Sequence, residues 1–187
     1  MITSPHGVAF VQAQEWVPRS ARCGWDGQLY HVYKDYAGYR TIGCGHLVRP
    51  NESFSAGLTE EQVTALLAAD LAPAERAIAE HVVPVLEQHQ FDALASFGFN
   101  CGIGALDPEN CTFIRLLNRG YTTAPLQSYG LPAWDKVRGK ADANLSHRRA
   151  AECHLWVTPW PDDPVELDAA LFDLVALLRE SSGTAHA

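Results

Sequence analysis

At 187 residues, with 47% hydrophobic and 19% charged side chains, the chain can bury one core and is neither disordered nor fibrous. Its formal charge is −8, and no basic-aromatic motif accompanies its cations, which excludes nucleic acid as the main partner. The longest apolar runs, such as residues 175–178, fall far short of the roughly 20 residues of a membrane span.

The opening residues, Met1 to His6, lack the basic and apolar regions of a signal peptide, which predicts a cytoplasmic start. Ser4-Pro5 reads as an N-cap followed by proline at the first helical position. It opens a helix over Val8, Phe10, Val11 and Glu15 that Pro18 ends. Residues 19–27 are loop-like. Two stretches, 29–35 and 39–43, flank a turn at 36–38 and predict a β-hairpin. From Thr59 the pattern becomes helical: Thr59 and Gln62 fit a capping box, with Val63, Leu66, Leu67 and Leu71 at helical spacing. Pro73 and Pro84 are expected to interrupt or restart helices. Residues 90–100 form the strongest core-helix candidate. Shorter helices are predicted over 112–118, with Gly120 as C-cap, and over 145–156. An amphipathic helix over 164–180, with Leu167, Leu171, Leu174 and Leu178 on one side, closes the chain.

This pattern predicts an α+β, mainly helical fold. A small hairpin-bearing lobe joins a larger helical lobe, with a cleft where a polymer can lie. The expected division is a domain over 1–160 and a C-terminal helical extension over 161–187, packed on it or trailing from it. Five scattered cysteines without a CxxC pair read as reduced, mostly buried thiols rather than a disulfide or zinc scaffold. Charge is uneven: residues 1–110 hold six basic and 13 acidic side chains, residues 111–160 seven and three, and residues 161–187 one and six. The basic middle block is expected to be mainly a solvated helical face, with anionic cell wall as the alternative partner.

Asp35 and Thr41 lie six residues apart across the predicted hairpin turn, so a carboxylate and a hydroxyl can share one water molecule. The string around them, from Tyr33 through Asp35, Gly38, Thr41, Ile42, Gly43 and Gly45 to His46, resembles the YxDxxGxxTIGxGH segment of phage-type lysozymes. These are the endolysin muramidases of glycoside hydrolase family 24. LTEEQ (58–62), QFDALASFGFN (90–100), CTFIRLLNRG (111–120), Trp134, Gly139 and Arg148-Arg149 with Glu152 follow in the family's order. The resemblance covers roughly residues 4–156.

The resemblance implies a lysozyme-like two-lobed fold. It also implies hydrolysis of the β-1,4 bond between N-acetylmuramic acid and N-acetylglucosamine in peptidoglycan, with inversion. Such a reaction needs one protonated carboxyl for the leaving oxygen and a second carboxylate that serves water, roughly 6.5–9.5 Å apart. Asp35 takes the second role and Thr41 helps hold the water.

The donor is where the chain departs from its family, which places Glu-Gly nine residues before the hairpin Asp. Here that position is Asp26, followed by Gly27. The other candidate is Glu15, at the end of the first predicted helix. It requires about eleven extra residues before the hairpin, and Trp16 stands in place of the usual glycine. Asp26 lies among Pro18, Gly24 and Gly27, an unlikely helix end, and is one methylene shorter. Glu15 is preferred and Asp26 is the alternative acid. Burial against Trp16 or its neighbours is expected to raise the Glu15 pKa, and Asp26 is expected to be exposed and ionised.

His46 is expected as a strut behind the hairpin. With Asn100, Gln90 and Arg148 it forms the candidate set that lines the cleft or ties the lobes together. Cys44 has His46 two residues away, but a cysteine nucleophile would also want an orienting third group, and it is not taken as one. No metal or organic cofactor is implied. Peptidoglycan is the expected partner of a monomer without a membrane anchor. A holin or secretion system would carry it from the host cytoplasm to the wall in the periplasm. A second reading is a non-catalytic lysozyme-like module that binds peptidoglycan or a protein.

Overall fold

The computed structural model describes residues 1–15, 23–35 and 37–161. It divides into a unit over Val11–Asp70 and a larger unit that joins Met1–Phe10 to the chain from Leu71 onward. The boundaries fall inside helix α1 (Pro5–Glu15) and helix α2 (Glu60–His81). Of the expected elements, the helix over 164–180 and residues 16–22 of the expected insertion lie outside the described residues.

Ser4 and Pro5 start α1 as the sequence predicts. The Ser4 hydroxyl accepts the Gly7 N–H at 3.0 Å, which satisfies one of the first-turn donors. That hydroxyl in turn donates to the buried Asp92, whose other oxygen accepts the Ser4 N–H at 2.9 Å.

In the smaller unit, three short strands pair antiparallel in the order β1 (Tyr33–Lys34), β2 (Arg40–Ile42), β3 (His46–Leu47). Tyr33 faces Thr41, and Ile42 faces His46. The third strand is a finding beyond the predicted hairpin. Ile42, Val63 and Leu67 are buried in this unit. Gly43 is required where the chain turns after β2: its φ is +57°, and a Cβ there would sit 2.7 Å from Val63 Cγ1. Tyr30, fully buried, pairs its backbone with Leu58 and packs its ring at a tilt against Trp25, 4.6 Å between centroids. That pins the segment leading into β1.

Thr59 and Gln62 close the predicted capping box on α2, with Thr59 N–H donating to Gln62 Oε1 at 2.9 Å. The helix then runs unbroken through Pro73, against expectation. Both Pro73 and Ala69, whose carbonyl loses its helical partner, are exposed. Water can therefore take the place of the missing bond. Pro84 does lie between α2 and α3 (Gln88–Cys101).

The larger unit is built around α3, where Phe91, Leu94 and Phe97 are buried along with the small residues between them. Phe97 meets Phe113 of α4 (Thr112–Leu117) and Trp134 edge-on, both at 5.4 Å. These aromatic contacts add to the burial of large apolar surface. Gly98 lets Leu106 approach; a Cβ would come within 2.5 Å of its side chain. A two-stranded hairpin, β4 (Lys136–Val137) and β5 (Lys140–Ala141), precedes α5 (Ala143–Val157). Asp142 caps α5 by accepting the Leu145 N–H. No helix among the described residues is long and apolar enough to cross a membrane.

Candidate active site

The site begins with a turn. Asp35 follows β1, and its N–H and carbonyl bond Tyr39 and Gly38 across residues 35–39. One carboxylate oxygen, Oδ1, accepts the N–H groups of Ala37 and Tyr39 at 2.9 and 2.8 Å. The other, Oδ2, has no hydrogen-bond partner among the described residues. Asp35 is half-buried. It thus both caps the turn and presents a carboxylate oxygen in a fixed orientation.

The strand register puts Asp35 opposite Tyr39 and Tyr33 opposite Thr41. Asp35 and Thr41 are therefore diagonal neighbours on one face of the sheet. Thr41 is buried, and its hydroxyl donates to the Tyr39 carbonyl at 3.2 Å. Its oxygen lone pairs can still accept a hydrogen bond.

Tyr33 links the rest of the neighbourhood. Its phenol is pushed up to about 12, first by burial and then by the charges of Cys23, Cys44, Asp35 and Glu15. Glu15 and Asp35 thus both lie within electrostatic reach of one half-buried ring. Glu15 closes α1 as expected, but it is exposed. Burial does not supply the environment anticipated for a donor, and Trp16 lies outside the described residues.

Asp26 forms a second turn of related design. Its Oδ1 accepts the N–H groups of Gln28 and Leu29 at 2.8 and 2.9 Å, and its Oδ2 meets His31 Nε2 at 2.8 Å. These bonds, led by Leu29 and Gln28 with His31 behind them, hold the exposed carboxyl down at about 2. It is ionised throughout the neutral range, with both oxygens occupied.

The remaining candidates are placed as follows. His46 is buried in the smaller unit, with Nδ1 on Asp70 at 2.9 Å and Nε2 on Glu52 at 2.9 Å. Burial opposes its charged form, yet the bonds to Glu52 and Asp70 outweigh that and raise its pKa. Both nitrogens face carboxylates, an arrangement that favours the charged ring. Gln90 Oε1 accepts the Glu87 N–H in the capping box of α3. Arg148 is buried on α5, with Nε 3.4 Å from Glu152 Oε1. Arg149 beside it lies 2.8 Å from Glu152 Oε2 as an ion pair that lacks hydrogen-bond alignment. Its Nη2 donates to Glu152 Oε1 and to Asn100 Oδ1. Complete burial pushes the Glu152 carboxyl up, against the pull of Arg149 and Arg148. Asn100 is exposed.

Cys44 is buried, and its thiol is pushed up to about 12, mainly by burial. That leaves it protonated and a poor nucleophile. The five cysteines form no disulfide. No group of three or more His, Cys, Asp or Glu side chains among the described residues is positioned to hold a metal ion.

The sequence reading gave no role to Tyr33, Asp70 or Glu52. Tyr33 stood inside the quoted motif. Asp70 lies 24 residues from His46, and no local pattern joins them.

Comparison with known proteins gives a consistent result. The family model described as phage lysozyme matches residues 23–152. The match includes Asp26, Asp35 and Thr41 and begins after Glu15. The endolysin of Salmonella phage P22 is 35% identical over 127 residues, 66% of this chain and 84% of that protein. The endolysin of Bacillus phage PZA is 33% identical over 124 residues, 65% of this chain but only 45% of that longer protein. Among solved structures, the muramidase domain of SpmX from Asticaccaulis excentricus superposes with a TM-score of 0.65 at 31% identity. It covers 84% of this chain and 98% of that domain.

Proposed function

The chain belongs to the phage lysozyme family, and on that premise we propose that it is a muramidase. It hydrolyses the β-1,4 bond between N-acetylmuramic acid and N-acetylglucosamine in peptidoglycan. The observation that carries this reading is the turn at residues 35–39. Two backbone N–H groups fix Asp35 through Oδ1, and Oδ2 is left for a water.

In the reaction, Asp35 Oδ2 accepts a proton from that water while Thr41 accepts its second hydrogen as a hydrogen bond. The water oxygen bonds the anomeric carbon as the glycosidic C–O bond breaks. Glu15 gives its proton to the leaving oxygen. The carboxylate serves water rather than sugar, so the anomeric configuration inverts. Three features support Glu15 over Asp26. It ends a helix, its charge reaches Tyr33 together with that of Asp35, and Asp26 has both oxygens occupied.

His46 supports the sheet from behind, through Asp70 and Glu52. Asn100, Gln90 and Arg148 belong to the larger unit, where Gln90 and Arg148 serve helix capping and the Glu152 cluster. The enzyme is proposed to act as a monomer on the wall in the periplasm. In this reading a holin or secretion system carries it from the host cytoplasm. The kinship with endolysins does not favour a non-catalytic module. The test is release of reducing ends from purified sacculi by the purified chain. Binding to sacculi without such release overturns the proposal.

A further inference from the structure

The β4–β5 hairpin adds nothing to the core of the larger unit. Every residue from Lys136 to Ala141 is exposed, so neither face of this two-stranded ribbon is packed away from water. Its charge has one sign: Lys136, Arg138 and Lys140 fall within five positions, with no carboxylate among them. We propose that this hairpin docks the protein on an anionic phospholipid surface. The inference goes beyond the muramidase reading and does not depend on it.

The acidic residues that flank the hairpin do not neutralise it. The Asp142 N–H donates to the Asp135 carbonyl at 2.8 Å and closes the base of the ribbon. Both carboxylates serve the start of α5: Asp135 accepts the Ser146 hydroxyl at 2.9 Å, and Asp142 accepts the Leu145 N–H at 3.1 Å. Lys136, Arg138 and Lys140 make no ion pair with a described residue. Their positive field is unopposed at close range.

The turn of the ribbon supplies a second observation. Arg138 has φ +51° and Gly139 φ +80°, the left-handed pair of a two-residue hairpin turn, where asparagine, aspartate and glycine are favoured. A long side chain on a left-handed residue is strained, and such strain marks positions kept for function. The fold gains nothing from arginine at this turn. A surface that binds anions gains a cation at its tip.

Val137 selects the kind of anion. It is 50% exposed, stands opposite Lys140 across the ribbon and precedes Arg138. An apolar side chain between two cations suits a layer of phosphates with an apolar phase beneath it, which is a bilayer surface. A dissolved polyanion has no place for it. The rest of the chain sets the orientation. The formal charge is −8 overall, yet residues 111–160 hold seven basic and three acidic side chains. An anionic surface therefore repels the acidic remainder and attracts the hairpin.

The test is co-sedimentation of the full chain with vesicles of phosphatidylglycerol and phosphatidylcholine in equal parts, against vesicles of phosphatidylcholine alone. One cation near an anionic leaflet is worth about fivefold in partitioning. Three should make the anionic vesicles bind roughly a hundredfold more tightly, less so as salt is raised. Replacing Lys136, Arg138 and Lys140 together, by Gln, Asn and Gln, should remove that preference. Arg138→Asn alone should weaken binding about fivefold while leaving the melting temperature equal or higher, because asparagine suits the turn. Val137→Thr should weaken binding a few fold. Equal binding to the two kinds of vesicle overturns the proposal, as does binding that survives the triple replacement. A lowered melting temperature in Arg138→Asn would make the arginine structural and count against the proposal. Val137→Thr that bound like the wild type would leave charge alone at work, and a dissolved polyanion would replace the lipid surface as the occupant.

Discussion

Two aspartates of the smaller unit, nine positions apart, are held in turns of nearly the same design. Asp26 Oδ1 takes the N–H groups of Gln28 and Leu29; Asp35 Oδ1 takes those of Ala37 and Tyr39. They differ at the second oxygen. Asp26 Oδ2 is bound to His31 at 2.8 Å, whereas Asp35 Oδ2 has no bond to a described residue. The first carboxylate is fully committed to its loop, while the second keeps one oxygen for chemistry. Backbone N–H groups can therefore orient a carboxylate through one oxygen without occupying the other. The distinction lies in one atom, which sequence spacing cannot report.

The largest expected effect follows from that atom. Asp35→Asn keeps the oxygen that caps the turn but replaces the proton-accepting oxygen with an amide. Turnover on sacculi should fall by about 10²–10⁴-fold, the usual worth of a positioned general base, with the circular dichroism spectrum unchanged. Asp26→Asn should leave turnover within a few fold. Equal losses in the two variants would erase the contrast between the turns. The products should also carry the inverted anomeric configuration, observable by nuclear magnetic resonance immediately after cleavage. A covalent glycosyl intermediate on Asp35 would instead make it a nucleophile.

Next in size is the donor. Glu15→Gln removes the proton, and Glu15→Asp withdraws the carboxyl by one methylene. A misplacement of about 1 Å can cost on the order of a hundredfold, so both variants should be at least that slow. If Asp26→Asn stops lysis while Glu15→Gln does not, the family's nine-residue spacing identifies the acid and the assignment to Glu15 fails.

Much of the fold was legible because local chemistry dictates it. Ser4-Pro5 marks the start of α1, Thr59 with Gln62 that of α2, and the apolar run 90–100 the core of α3. Elements of two residues carry no periodicity, so β3 and the β4–β5 hairpin went unread. Arg138, at φ +51°, occupies a turn position where asparagine or glycine would have been the signal. Pro73 misled because a proline on an exposed face can remain inside a helix. The hairpin that carries Asp35 and Thr41 was legible through the two short stretches that flank its turn. The His31 lock on Asp26 and the clamp of Asp70 and Glu52 on His46 depend on how loops and helix fold back, and they leave no spacing to read.

A smaller effect is expected at His46, which supports the sheet that carries the Asp35 turn. Its folded pKa is raised above the ordinary 6.5. Its contribution to stability is therefore fully present below 6.5 and lost as pH rises through the folded value. The melting temperature of the wild type should exceed that of His46→Gln most at pH 6, with the gap closing toward pH 9. A gap that widened with pH would mean that the neutral ring is the form bound between Asp70 and Glu52.

The smallest effect probes the Asp26 turn itself. Its folded pKa of about 2 lies below the ordinary 3.8, so the sign is opposite to that of His46. The stabilisation is present above 3.8 and lost as pH falls through 2. Urea midpoints of wild type and Asp26→Asn should differ at pH 5, and the gap should narrow steadily toward pH 2. The leading causes are the N–H groups of Leu29 and Gln28, with His31 behind them. High salt screens exposed charges far more than it disturbs backbone hydrogen bonds. Salt at pH 5 should therefore leave most of the gap in place. A gap abolished by salt would make the His31 ion pair the principal tie. Asp26 would then be an exposed charge whose likeness to the Asp35 turn is superficial, and the two turns would no longer share a design.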